Sequence, residues 1–228
     1  MTLIEILIVL AIMGIMVGAV IAGSGQLASA RLHHTSTMLA GAVKVAYARA
    51  TATSKNVRIV FDLEEDTFWI EESDQPMLVQ SKDVTGTGGA EAATQAEQQA
   101  VEEGDRIVKG PRAPKPRFKM VESVGLASSQ VKKGPRSLER GIKFREIQTS
   151  HDDKPRTEGR AYLYFWPGGM TERAAILLSV GDLKEDGSTQ TLMVSPLTGK
   201  VTVKDGAVPM KKIESDKEAS DRDDPSSF

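Results

Sequence analysis

The chain has 228 residues, enough for one modest domain with appendages, and a formal net charge of −2 that points to no nucleic-acid partner. Cysteine is absent, which excludes disulfide scaffolds, thiolate zinc sites and cysteine nucleophiles together, without fixing the compartment. Aromatic residues make up only 5%, so the core is expected to be small and mostly aliphatic.

From Ile6 to Ala22 the sequence carries no charge and no strongly polar group. With Leu3 and Ile4 it gives about 20 residues, about 30 Å as a helix, which matches the hydrocarbon core of a bilayer. A soluble core helix would keep a polar face, and this segment has none. The exception is Glu5, because a carboxylate at the edge of an apolar helix is costly and calls for a partner. The α-amino group of Met1 lies one helical turn away, on the same copy or on a neighbouring one. In a bundle of staggered parallel helices, an intermolecular pair would neutralise two otherwise buried charges. Each charge left unpaired would cost several kcal/mol, so one axial stagger would be favoured over the others.

Two other readings of this segment compete. A cleaved secretory signal would show a basic start, a shorter apolar stretch and small residues before the cut. Ala28-Ser29-Ala30 fits the last requirement, but the start has no Lys or Arg and the apolar run is too long. A plain signal anchor fits better, yet gives no reason for Glu5.

The run Met1-Thr2-Leu3-Ile4-Glu5-Ile6-Leu7-Ile8-Val9-Leu10-Ala11-Ile12-Met13-Gly14-Ile15 closely resembles the mature start of type IV pilins and type II secretion pseudopilins. Met1 stands where that family usually has Phe, and Ala22 where many major pilins have Pro. The resemblance implies processing at Met1 by a prepilin peptidase and an assembly role for Glu5. It also implies a polymerising membrane helix carrying Leu3, Ile4, Ile6, Leu7, Ile8, Val9, Leu10, Ile12, Gly14, Ile15 and Gly18.

After Gly23-Ser24-Gly25 the pattern turns amphipathic. Leu32, Leu39, Val43, Ala46 and Ala50 recur at helical spacing, so one long helix, bent or loosened near the glycines, is expected to reach about Ala52. Its apolar stripe is a bed for a sheet, and His33 and His34 are expected on its surface. The expected segments are 1–24 (membrane helix), 25–53 (amphipathic continuation), 54–210 (β-rich domain) and 211–228 (disordered tail).

Val57–Asp62 and Thr67–Glu71 alternate in character around an acidic turn and predict a hairpin against the helix. A flexible insertion is expected at about 75–138. Within it, 85–104 lacks aromatics and is expected to be a flexible loop, and Lys109 to Lys119 is basic and proline-rich, expected to be a solvated linker rather than a dock for an acidic partner or lipid headgroups. Strands are then predicted over 141–147, 161–166 and 173–180, with 173–180 buried on both faces. Two more, over 189–195 and 200–204, flank the turn Pro196-Leu197-Thr198-Gly199. Together these predict one antiparallel meander of four or five strands.

Three later stretches, "LAGAVKVAYARATATSKNVRIVFD", "YFWPGGMTERA" and "LMVSPLTGKVTV", resemble the H-type minor pseudopilins and their pilus relatives, the GspH/FimT group. The implied fold is α+β and pilin-like, a long N-terminal helix packed on antiparallel β-sheet. The implied setting is the inner membrane, with the C-terminal domain in the periplasm. The implied partners are other pilins or pseudopilins, the prepilin peptidase, the inner-membrane assembly platform and the lipid bilayer.

No chemistry is expected. His151-Asp152-Asp153 lies in a polar stretch, adjacent side chains should point apart, and no further ligand spacing is visible, which favours a plain loop over a metal site. Asp182 to Ser188 lacks the alternating oxygens of a calcium loop and is expected to be an acidic hairpin turn. Gly168-Gly169 precedes a strand and is no phosphate cradle. The chain is therefore read as non-enzymatic, without cofactor or metal. A minor pseudopilin of a type II secretion system leads, ahead of a minor pilin of a type IV pilus and a membrane-anchored domain that never polymerises.

Overall fold

A computed structural model describes residues 3–75, 77, 95, 99, 116–121, 134–152, 154–181 and 188–210; the side chains of 17–26 lie outside the described residues. The fold is α+β: a long helix, α1 (Leu3–Thr53), packed on antiparallel sheets. The helix passes Gly23-Ser24-Gly25 without a break and stops where Ser54 takes a left-handed conformation, φ 54°. The stripe read from the sequence is the face that packs: Leu32, Leu39, Val43, Ala46 and Ala50 are all buried, and Ala42 joins them. Alanine at three of these positions lets the helix axis approach the strands closely.

The first sheet contains β1 (Asn56–Asp62), β2 (Thr67–Ser73), β3 (Lys119–Met120), β4 (Arg136–Ser137), β6 (Arg160–Trp166) and β7 (Met170–Thr171). The predicted hairpin is present, with Ile59 opposite Ile70 in β2 and Leu163 in β6. Period-two alternation puts Val57, Ile59 and Phe61 of β1 into the core with Phe68, Ile70, Leu163 and Phe165. Arg49 of α1 reaches Glu72 of β2 at 2.7 Å, and this hydrogen bond, reinforced by Lys55, holds the Glu72 carboxyl below the usual glutamate range.

The second sheet runs β10 (Val201–Asp205), β9 (Thr189–Val194), β8 (Ala174–Val180), β5 (Ile142–Thr149). Phe144, Ile147, Ile176, Leu178 and Leu192 face the same core, and Phe61 meets Phe144 edge-on at 5.5 Å between centroids, joining the two sheets. β8 is buried along both faces as expected. Its outer side, Ala175 and Leu177, lies under the segment around Val208 and Pro209, which the Met210 amide anchors by donating to Gln148.

The single meander is corrected. The predicted strand over 161–166 pairs with β1, while β5 pairs with β8, so the later strands divide between two sheets. The switch follows from the polar stretch between β5 and β6, which folds inward instead of forming a tight turn. The uniform reading of the 75–138 insertion is also corrected, because Lys119–Met120 and Arg136–Ser137 add to β2 as short edge strands and Met77 is buried. Residues 85–104 apart from 95 and 99, and most of 109–119, lie outside the described residues, as do 182–187 and 211–228.

The turn at Pro196–Gly199 closes where Gly199 (φ +61°) sits against Tyr47 of α1. A Cβ there would lie 2.6 Å from Tyr47 Cδ2 and 2.8 Å from Cγ. Gly199→Ala should therefore cost about 1–3 kcal/mol by combined strain and overpacking, read as a lowered urea midpoint of the full chain in mild detergent. An unchanged midpoint would mean that the turn and ring separate without penalty.

Candidate assembly interface

The first part of α1 leaves the domain bare. Leu3 is 78% exposed and Ile15 72%, and Ile4, Ile6, Leu7, Ile8, Val9, Leu10, Ile12, Met13 and Met16 are exposed between them. Leu32, further along the same helix, is 1% exposed. Residues 3–16 alone span about 21 Å as a helix. Among the described residues no helix is both long and apolar enough to cross a membrane. Gly18 lies within the part of α1 whose side chains are outside the described residues, and Met1 lies outside them altogether. Gly14 has open space where a Cβ would stand. A contiguous apolar surface of this kind marks an interaction site or an aggregation hazard, since each fully buried Leu or Ile side chain is worth about 1.5–3 kcal/mol.

Glu5 sits in the first turn of α1, exposed, with no hydrogen-bond or ion-pair partner among the described residues. A carboxylate near a helix N-terminus is favoured by the backbone dipole. Among the described residues its neighbours Leu3, Ile4, Ile6, Ile8 and Val9 are aliphatic, so a surface that covers the arm also covers the charge.

Above the arm, α1 meets the end of the second sheet in polar contacts. Ser36 Oγ donates to Gln190 Oε1 at 2.7 Å, and Gln190 Nε2 donates to Asp205 Oδ1 and to His33 Nδ1, each at 2.9 Å. His34 lies 3.1 Å from Glu139. Both histidines are on the helix surface as expected, but each is tied to the domain.

Two features escaped the sequence reading. The outer face of the first sheet carries its own aromatic cluster, in which Val60, Tyr162, Tyr164 and Met77 are buried beside Trp69, Phe118 and Trp166. The Arg58 guanidinium lies 4.0 Å from the Phe118 ring centroid and 4.6 Å from that of Tyr162, and pairs with Glu71 at 2.6 Å. A groove of about 580 Å³ runs over this face. The alternation of Arg58 and Val60, Trp69 and Glu71, Tyr162 and Tyr164 was the available signal.

The second feature corrects the plain loop expected at His151. That residue is 4% exposed, its Nδ1 is 2.5 Å from Glu172 Oε2, and its Nε2 is 3.6 Å from Asp152 Oδ2, so the adjacent side chains converge. Asp152 accepts two hydrogen bonds from Arg156, both at 2.8 Å. Burial by itself raises the Asp152 carboxyl, but the Arg156 hydrogen bonds and charge, with the His151 charge and a hydrogen bond from Thr149, outweigh it and hold the group below the usual aspartate range. Asp153, the third member of the sequence cluster, lies outside the described residues, and no group of His, Asp and Glu among the described residues is arranged to hold a metal.

No family model, curated protein or solved structure matches this chain.

The described part of the arm contributes nothing to the core. Deleting residues 1–26 should therefore leave the urea midpoint of the remaining domain within about 0.5 kcal/mol and remove the need for detergent. Loss of the cooperative transition would show that the arm supports the domain.

Proposed function

We propose that this chain is a pilin-like subunit, a minor pseudopilin of a type II secretion system, whose α1 arm is buried in a membrane before assembly and among the helices of other subunits after it. The observation that carries the proposal is a single carboxylate, Glu5, in the first turn of an otherwise apolar, exposed helix that continues without a break into the bed of a β-rich domain. The resemblance of residues 1–15 to the mature pilin start supports the same reading.

In this role the arm provides axial adhesion and Glu5 provides register. Apolar helices slide past one another with little preference, because one aliphatic contact replaces another. A carboxylate that must meet a terminal amine penalises each wrong stagger by several kcal/mol. The β domain then remains outside the bilayer, where it meets other minor subunits or the secreted cargo.

The test is Glu5→Ala beside Glu5→Asp in the native envelope, with gentle crosslinking and mass spectrometry of the partners. Glu5→Ala should lose crosslinks to other pseudopilins and abolish export of cargo, while Glu5→Asp keeps part of both. Normal assembly and export by Glu5→Ala would contradict the pairing role. Wild-type crosslinks to pilus subunits would move the chain to a type IV pilus, and the absence of either set would favour a lone anchored domain.

A further inference from the structure

The buried polar cluster beneath the groove lies away from the arm, and assembly through α1 does not call on it. It joins three parts of the chain. His151 and Asp152 follow β5, Arg156 bridges back to Ile147 by paired backbone hydrogen bonds, and Glu172 lies on the short link by which the chain passes from the first sheet to the second. Glu172 accepts from the Tyr164 amide at 3.0 Å and from Ser150 Oγ at 3.3 Å besides its contact with His151. The His151 ring packs on Tyr164 of β6, edge to face at 5.4 Å, and Tyr164 also lines the aromatic groove.

Charge counting shows what the cluster requires. Asp152, Arg156 and Glu172 are all nine-tenths or more buried, two anions against one cation. With His151 neutral, these described groups stand at two anions to one cation, and its Nε2, which has no hydrogen-bond partner among the described residues, points a lone pair toward the Asp152 carboxylate. A protonated His151 donates from Nδ1 to Glu172, presents Nε2–H to Asp152 and balances the cluster.

We propose that His151 is a pH-operated clasp, which when protonated ties the segment after β5 to the inter-sheet link at Glu172 and on deprotonation loosens that link and the Tyr164 floor of the groove. The groups that face it are Glu172 from the link, Asp152 and Arg156 from the segment after β5, and Tyr164 from β6; behind Tyr164 stands Arg58 of β1, already paired with Glu71 of β2. Burial alone pushes the imidazole down, but the hydrogen bond and charge of Glu172, with the charge of Asp152, outweigh it and raise His151 above the ordinary histidine value. A raised group adds stability in full below the ordinary histidine value, and that stability is lost as pH climbs through the raised one. Asp152 acts in the opposite sense: its contribution is present above the usual aspartate range and disappears as pH falls through its lowered value. The clasp is thus closed in a window around mildly acidic pH and opens toward alkaline pH.

The experiment is a ring-proton NMR titration of His151 in the full chain in detergent micelles, for the wild type and Glu172→Gln, with urea midpoints at mildly acidic and alkaline pH for the wild type and His151→Asn. Wild-type His151 should titrate above a histidine in a short peptide, and Glu172→Gln should lower it. The wild-type midpoint should fall as pH rises, and His151→Asn, which keeps a neutral donor, should show a flatter profile. A wild-type ring that titrates at or below the peptide value overturns the proposal even if both variants fail to fold. Parallel midpoint profiles for the wild type and a folded His151→Asn overturn it as well.

Discussion

The structure depends on one strip of α1. Ala42, Val43, Ala46 and Ala50 sit at the junction of two antiparallel sheets, and their small size lets a single helix touch strands of both. A larger side chain at Ala42 or Ala46 would lift the helix and open the core along its length, because interiors packed at crystal-like density have no slack. The polar ties of Arg49 to Glu72 and of Ser36 to Gln190 then fix the rotation and height of the helix over the sheets. With the upper half clamped in this way, the lower half can only project, and its apolar side chains must find their partners elsewhere.

That division explains why one helix carries two kinds of surface. Beyond Leu32 the apolar residues form a stripe with charged neighbours, which suits a helix with one wet face. Over residues 3–16 every side chain but that of Glu5 is apolar, a surface that marks an interaction site or an aggregation hazard. Glu5 is the only charged side chain in that lower part, and in the proposed assembly it would discriminate between staggers of neighbouring helices.

Periodicity made much of this legible in advance. The stripe from Leu32 to Ala50, the hairpin at 57–71 and the turn at Pro196–Gly199 each have a local cause, helical spacing, strand alternation or turn chemistry, and each is where the sequence placed it. The division of the later strands between two sheets was not legible, because it depends on which strand β6 meets across nearly a hundred residues. The same limit hid the His151 cluster. In the sequence, His151-Asp152 looks like solvated loop, and only the folded chain brings Arg156 and Glu172 to it. The aromatic outer face of the first sheet was half visible: the alternation was present in β1, β2 and β6, but Phe118, which covers it, comes from a stretch that reads as a solvated linker.

The most direct measurement is hydrogen exchange of the full chain reconstituted in phospholipid vesicles, followed amide by amide along α1. Strong protection extending from the packed stripe down through the arm toward Glu5 is the expected result, since a helix in hydrocarbon has no alternative partner for its backbone groups. Rapid exchange of the arm in vesicles, beside a protected upper helix, would contradict a membrane and assembly role for it.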